Sequence, residues 1–164
     1  MIKQSVVDSM NNQIMHELYS AYFYLSMSAH CERENLPGFA AWLKVQAQEE
    51  QEHAMKFYEY LQDRGAKIVL QAIPQPPVDF ASPLAIFEQV YAHEQKVTGL
   101  INAIYDVATA EKDTASQVFL QWFITEQVEE EKNASTILDM LKKIGDHVGS
   151  LYQLDHQLGK RGGD

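Results

Sequence analysis

Glu50 and His53 stand three residues apart in the stretch Gln48-Glu49-Glu50-Gln51-Glu52-His53. On a helix that spacing puts a carboxylate and an imidazole on one face. Together they offer oxygen and nitrogen donors to a divalent cation. Facing water, the same pair would be an ordinary solvated surface, so its meaning depends on which way it points. The neighbours decide this. Glu50 lies on the stripe Leu43, Ala47, Ala54, Phe57, at the three- and four-residue steps of a buried helix face. Glu17 has the same setting among Met10, Ile14, Ala21 and Tyr24, and Glu94 among Phe87, Tyr91, Thr98 and Ile101. Glu130 shares its stripe with Leu120, Phe123, Gln127 and Ala134. Each of four apolar stripes carries one glutamate, so Glu50 is expected to point inward.

Burying an unpaired carboxylate costs several kcal/mol even after relaxation. A whole domain is stable by only about 5–15 kcal/mol. No lysine or arginine occupies the middle turns of these stripes. The acids must therefore be protonated, or neutralised by something the chain does not itself supply. Two divalent cations would match the charge of Glu17, Glu50, Glu94 and Glu130. Oxygen donors with one imidazole suit iron or manganese rather than a thiol-bound metal. A glutamate from each of several helices, joined by a Glu-x-x-His pair, is the donor pattern of carboxylate di-iron bundles.

Four helices must carry these residues, and punctuation along the chain delimits them. The expected spans are about 4–33, 37–64, 83–111 and 113–144, with a short amphipathic tail helix near 147–158. Pro37 and the Ser82-Pro83 pair mark helix starts; Gly65 and Gly145 mark ends. The connections near 34–36 and 111–114 are short, so each should join an antiparallel pair. Residues 66–82, AKIVLQAIPQPPVDFAS, are too long for a tight turn and too rich in proline for a helix. They read as an ordered crossover running the length of the bundle. The expected fold is all-α, a single domain over 1–164: a four-helix bundle with one long crossover between helices two and three, plus a short fifth helix. Leu151, Leu154 and Leu158 of the tail form a stripe that needs covering, which would help an assembly of several chains.

Counting from the short turns places the four glutamates at one level. Glu17 and Glu50 lie about 18 and 15 residues on either side of the first turn, which agrees within one helical turn. Glu94 and the Gln127/Glu130 pair flank the second turn similarly. A displacement of 77 positions carries His16, Glu17, Glu49, Glu50, Glu52 and His53 onto His93, Glu94, Glu126, Gln127, Glu129 and Glu130. Outside this polar slice the repeat is sparse. One helical hairpin duplicated about a pseudo-twofold axis accounts for it.

The bulk composition narrows the partners. The net charge of −10 argues against nucleic acid and favours cations. No apolar run approaches the roughly 18 residues that a membrane span requires, and the N-terminus does not read as a signal peptide. A lone cysteine, Cys31, excludes an internal disulfide and fits a reducing cytoplasm.

The stretches HELYSAYFYLSMS, AQEEQEHAMKFYEYL, YAHEQKVT and FLQWFITEQVEEE closely resemble a ferritin of the prokaryotic haem-free type, over essentially the full length. That resemblance implies iron storage with ferroxidase activity: Fe(II) is oxidised by dioxygen and laid down as ferric oxide-hydroxide inside a homo-24-mer shell. It assigns a first iron to Glu17, Glu50 and His53. A second goes to Glu50, Glu94 and Glu130 with Gln127 close by, and Glu50 bridges the two. It assigns a third, weaker position to Glu49, Glu126 and Glu129 beside Glu130. The first position has an imidazole and the second only oxygens and an amide, so the second iron should bind more weakly. Haem is not expected. A bacterioferritin would have histidine in place of Glu130, glutamate in place of Gln127 and a methionine near 51 or 52, where this chain has Gln51 and Glu52.

Tyr24, on the stripe of Glu17, could supply an electron or a hydrogen bond at such a site, with Trp122 a lesser candidate; each reads equally well as a packed aromatic. His16 and His93 should face outward or bond to the ligands. Two other readings stay open at this point: a non-storage di-iron oxidase or peroxidase on the same bundle, and a purely structural bundle whose polar slice fixes helix register.

Overall fold

The computed structural model describes residues 2–161. The helices are α1 (Gln4–Arg33), α2 (Pro37–Asp63), α3 (Pro83–Ala110), α4 (Thr114–Ile144) and α5 (Val148–Leu158). No strand occurs among the described residues, and no helix is long and apolar enough to cross a membrane. α1 packs along α2 and α3 along α4, and the two hairpins close a four-helix bundle with α5 against one end.

The two hairpin turns are built alike. Asn35 and Lys112, themselves 77 positions apart, both take left-handed φ values of 57°. At each, two backbone bonds close the preceding helix: Asn35 N–H to Glu32 O with Leu36 N–H to Cys31 O, and Lys112 N–H to Thr109 O with Asp113 N–H to Ala108 O. Gly65 closes α2 in the same way at φ 63°. At the helix starts, Ser82 Oγ accepts from Ala85 N–H at 3.1 Å. α4 begins at Thr114 because Asp113 serves as its cap, accepting from Ser116 N–H at 3.2 Å.

The crossover lies along α1. Asn11 offers its side-chain amide to Lys67 O at 3.0 Å and accepts from Val69 N–H at 2.8 Å, as a strand neighbour would. Further along, Ser26 Oγ donates to Pro77 O at 2.5 Å and Arg33 pairs with Asp79 at 2.6 Å. Phe80 then turns into the core.

That core is in two parts. One gathers Val6, Met10, Ile14, Phe57, Leu61, Ile101, Leu120 and Phe123. The other gathers Tyr24, Met27, Phe39, Leu43, Phe87, Ala134 and Leu141. In every long helix the change from one part to the other falls where the stripe glutamate stands.

One expectation is corrected. The leucine stripe of the tail does not await another chain: Leu154 and Leu158 are buried within the bundle's own core and Leu151 packs against it. α5 folds back on α2 and α4, and that packing covers the stripe.

Candidate metal centre

Between the two halves of the core lie Glu17, Glu50, His53, Glu94, Gln127 and Glu130, all buried. Helical periodicity aims them inward, and the matched hairpin lengths bring them to one level. Oxygen and nitrogen atoms of Glu17, Glu50 and His53 come within 4.8 Å of one another, as do those of His53, Glu126 and Glu130. His53 thus stands between two donor groups. Its Nδ1 is 3.6 Å from Glu50 Oε2.

The partners of these carboxylates are neutral. Gln13, one helical turn before Glu17, donates to Glu17 Oε1 at 2.9 Å. Gln46, one turn before Glu50, donates to Glu130 Oε2 at 2.7 Å and to Glu50 Oε1 at 3.4 Å. Tyr24 donates to Glu94 Oε1, and Gln127 donates to Glu94 Oε2 at 3.2 Å. Glu17 Oε2 is buried without a hydrogen-bond partner among the described residues. Among the described residues, no lysine or arginine is ion-paired with Glu17, Glu50, Glu94 or Glu130.

Titration follows from this arrangement. Burial, then the neighbouring charge of Glu50, pushes the Glu17 carboxyl well above the usual range. Glu50 is raised too, by burial and then by Glu94. Burial pushes Glu94 and Glu130 up to about 7 each. Carboxyls in this state exchange protons readily for a cation at neutral pH. The orphaned Glu17 oxygen beside Glu50 and His53, and the oxygen-rich donor set with one imidazole, fit a hard divalent metal such as iron.

The remaining sequence candidates are placed unevenly. Glu126 is half-buried beside His53 and Glu130. Glu49 is held by Arg161 at 2.5 Å, and Glu129 is exposed. Neither joins the tight donor groups. Glu94 stands apart from them as well, engaged by Tyr24 and Gln127. Trp122 is partly exposed, its ring edge-on to His53 at 5.4 Å and under the Lys56 ammonium at 4.5 Å. His93 is tucked between α1 and α3, bonded to Ser20 Oγ at 2.7 Å and packed near Tyr24; burial lowers it to about 4, so it is neutral. His16 is half-buried, and burial also lowers it.

Periodicity did not single out Gln13, Gln46 or Arg161. For the glutamines a signal exists: each stands four residues before a stripe glutamate. For Arg161 there is none, because its place depends on where α5 docks.

Comparison with known proteins bears on the family and the fold. The Ferritin-like domain family matches residues 7–144. The bacterial non-heme ferritin of Bacteroides fragilis (strain 638R) is 43% identical over 161 residues, covering 98% of this chain and 100% of its own length. That of Staphylococcus aureus (strain USA300) is 38% identical over 161 residues, covering 98% and 97% respectively. Among solved structures, the open pore ferritin of the hyperthermophilic archaeon Archaeoglobus fulgidus superposes with a TM-score of 0.97 at 44% identity, covering 98% of this chain and 99% of that one. With the bundle, the inward carboxylates and these full-length matches together, the chain belongs to the ferritin family.

Proposed function

We propose that this protein is a ferroxidase ferritin, taking up Fe(II), oxidising it with dioxygen and storing it as ferric oxide-hydroxide inside a 24-subunit shell. One observation carries the reading. Among the described residues, four buried glutamates and His53 divide the core with no lysine or arginine paired to the acids, and Glu17 Oε2 has no hydrogen-bond partner. Such a slice is costly as structure and apt as a receptor for two Fe(II) ions.

In this reading Glu17, Glu50 and His53 hold one iron. Glu50, Glu94 and Glu130 hold the other with Gln127 beside it, and Glu50 is shared. The carboxyls release their protons as iron enters. Gln13, Gln46 and Tyr24 keep the ionised oxygens oriented, and each Fe(II) gives one electron to dioxygen. Glu49, Glu126 and Glu129 form a weaker outer position on the path to the mineral. Tyr24 acts as a hydrogen-bond donor to Glu94 rather than as an electron donor. Storage in a cytoplasmic shell is supported by the full-length ferritin relatives. Assembly is supported further by the groove of Tyr22, Leu25, Ile73 and Val78, whose exposed apolar side chains suit contact with a second copy.

The test is oxygen uptake during stepwise aerobic addition of Fe(II) to metal-free protein. Uptake persisting far beyond three irons per chain, with the iron remaining soluble, is the expected result. Uptake that stops near two would indicate a di-iron oxidase, and none at all would leave the slice as structure.

A further inference from the structure

The C-terminal segment brings a positive charge to the edge of the centre. Asp155 of α5 accepts from Phe39 N–H at 2.9 Å and so caps α2, whose own N-cap residue, Leu36, makes no side-chain bond. Gly38 permits the approach: a Cβ there would lie 1.7 Å from the Asp155 carbonyl oxygen. Docked in this way, the chain leaves α5 with Arg161 over the Trp42 ring, 4.4 Å from its centroid. Arg161 Nη2 donates to Glu49 Oε2 at 2.5 Å and Nη1 to Gln46 Oε1 at 2.8 Å. A guanidinium only donates, so the Gln46 carbonyl must face Arg161 and its NH2 must face the carboxylates. That NH2 is 2.7 Å from Glu130 Oε2 and 3.4 Å from Glu50 Oε1.

We propose that Arg161 is a positioning residue and resident counter-ion for the outer iron position, held on Glu49 in the iron-free chain and displaced when a cation binds there. The inference rests on the outer-position reading above. A cation at Glu49 would meet a largely desolvated guanidinium, and two like charges cannot share one carboxylate cheaply. Arg161 therefore keeps the outer position weaker than the inner pair, and iron arriving there remains free to move on. Gln46 keeps its own bond to Glu130 Oε2 at 2.7 Å when Arg161 leaves, so the inner pair retains its donor.

Anaerobic calorimetric titration of Fe(II) into the assembled protein tests this. Wild type should bind two ions tightly and a third weakly. Arg161→Gln should leave the first two unchanged and tighten the third about fivefold or more, the lower end of ordinary site-to-site coupling. Arg161→Lys should restore the weak third event. In a Glu49→Gln chain, Arg161→Gln should change nothing. A third event of equal affinity in wild type and Arg161→Gln overturns the role of Arg161 and leaves the outer position standing; no third event in either overturns both. A second readout keeps native Arg161. In a Trp122→Phe chain, where Trp42 is the one remaining tryptophan, titration with redox-inert Zn(II) should change the emission at the third equivalent, as the guanidinium leaves the ring. A flat signal there overturns the displacement.

Discussion

Tyr24 of α1 donates its hydroxyl hydrogen to Glu94 of α3 across the interior of the bundle, with both side chains buried. Burial, then the charges of Glu94 and Glu50, pushes the phenol well above its ordinary value, so it stays protonated. Its hydrogen bond is among the influences that hold Glu94 down against burial. The bond therefore favours the ionised Glu94 that a cation needs.

Tyr24→Phe should raise the Glu94 carboxyl further and weaken Fe(II) binding at neutral pH. A buried hydrogen bond to a charged group contributes about 1.5–3 kcal/mol, so the loss should be roughly tenfold or more. It should shrink as pH is raised and Glu94 ionises without help. Anaerobic titrations at pH 6.5 and pH 8.5 (chosen as about half a unit below and well above the neutral range of Glu94) would read both effects. An equal loss at both would show that Tyr24 acts by packing alone.

The metal-free and metal-loaded proteins should respond oppositely to pH. Burial sets Glu94 and Glu130 at about 7 in the fold, whereas a glutamate in the unfolded chain ionises near 4.3. Between those values the native state binds more protons, so the stability these two carboxyls contribute to the metal-free chain is full below about pH 4 and is lost as pH rises through about 7. Each carboxyl taken alone contributes on the order of 3 kcal/mol to that fall. Metal needs the ionised forms, so affinity rises over the same range. Melting temperatures from pH 5 to pH 9 (spanning about two units either side of 7), with and without Zn(II), should fall in the first case and rise in the second.

Glu50→Gln separates function from stability. The amide keeps the shape and removes a carboxyl that burial, Glu94 and Glu130 all disfavour when ionised. Above pH 7 the metal-free variant should be more stable than wild type, by on the order of 2 kcal/mol. Initial Fe(II) oxidation at two irons per chain should fall more than about 100-fold, since loss of an outer partner alone costs 10–100-fold. Stopped-flow absorbance and urea unfolding would measure the two effects. A variant both slower and less stable would contradict the view that the slice is costly without metal.

Gly38→Ala should detach α5. Its Cβ would meet the Asp155 backbone oxygen at 1.7 Å, which no side-chain adjustment relieves. A loss of about 2–3 kcal/mol is expected from overpacking of this kind. Asp155→Ala removes only the cap of α2 and should cost about 1 kcal/mol. Limited proteolysis at the C-terminal segment, alongside urea unfolding, would check both. Gly38→Ala leaving α5 protected would refute the close packing.

Much of this protein follows from one-dimensional pattern. An apolar stripe repeats every three to four residues whatever the helix later packs against, so the inward aim of Glu17, Glu50, Glu94 and Glu130 was legible. The short turns at Asn35 and Lys112 set their common level by counting, and the proline-rich crossover could not have been a helix. What the stripes could not convey is contact between helices. That Tyr24 of α1 meets Glu94 of α3, and that Gln46 of α2 reaches Glu130 of α4, depends on how the helices are rotated and spaced in the folded bundle. The leucines of α5 announced a buried face without naming its partner, and tertiary packing chose the chain's own core. That choice let Asp155 cap α2 and brought Arg161 to Glu49, over a hundred positions away in sequence. Periodicity records which face of a helix is buried; only the packed chain decides what that face, and its ends, will touch.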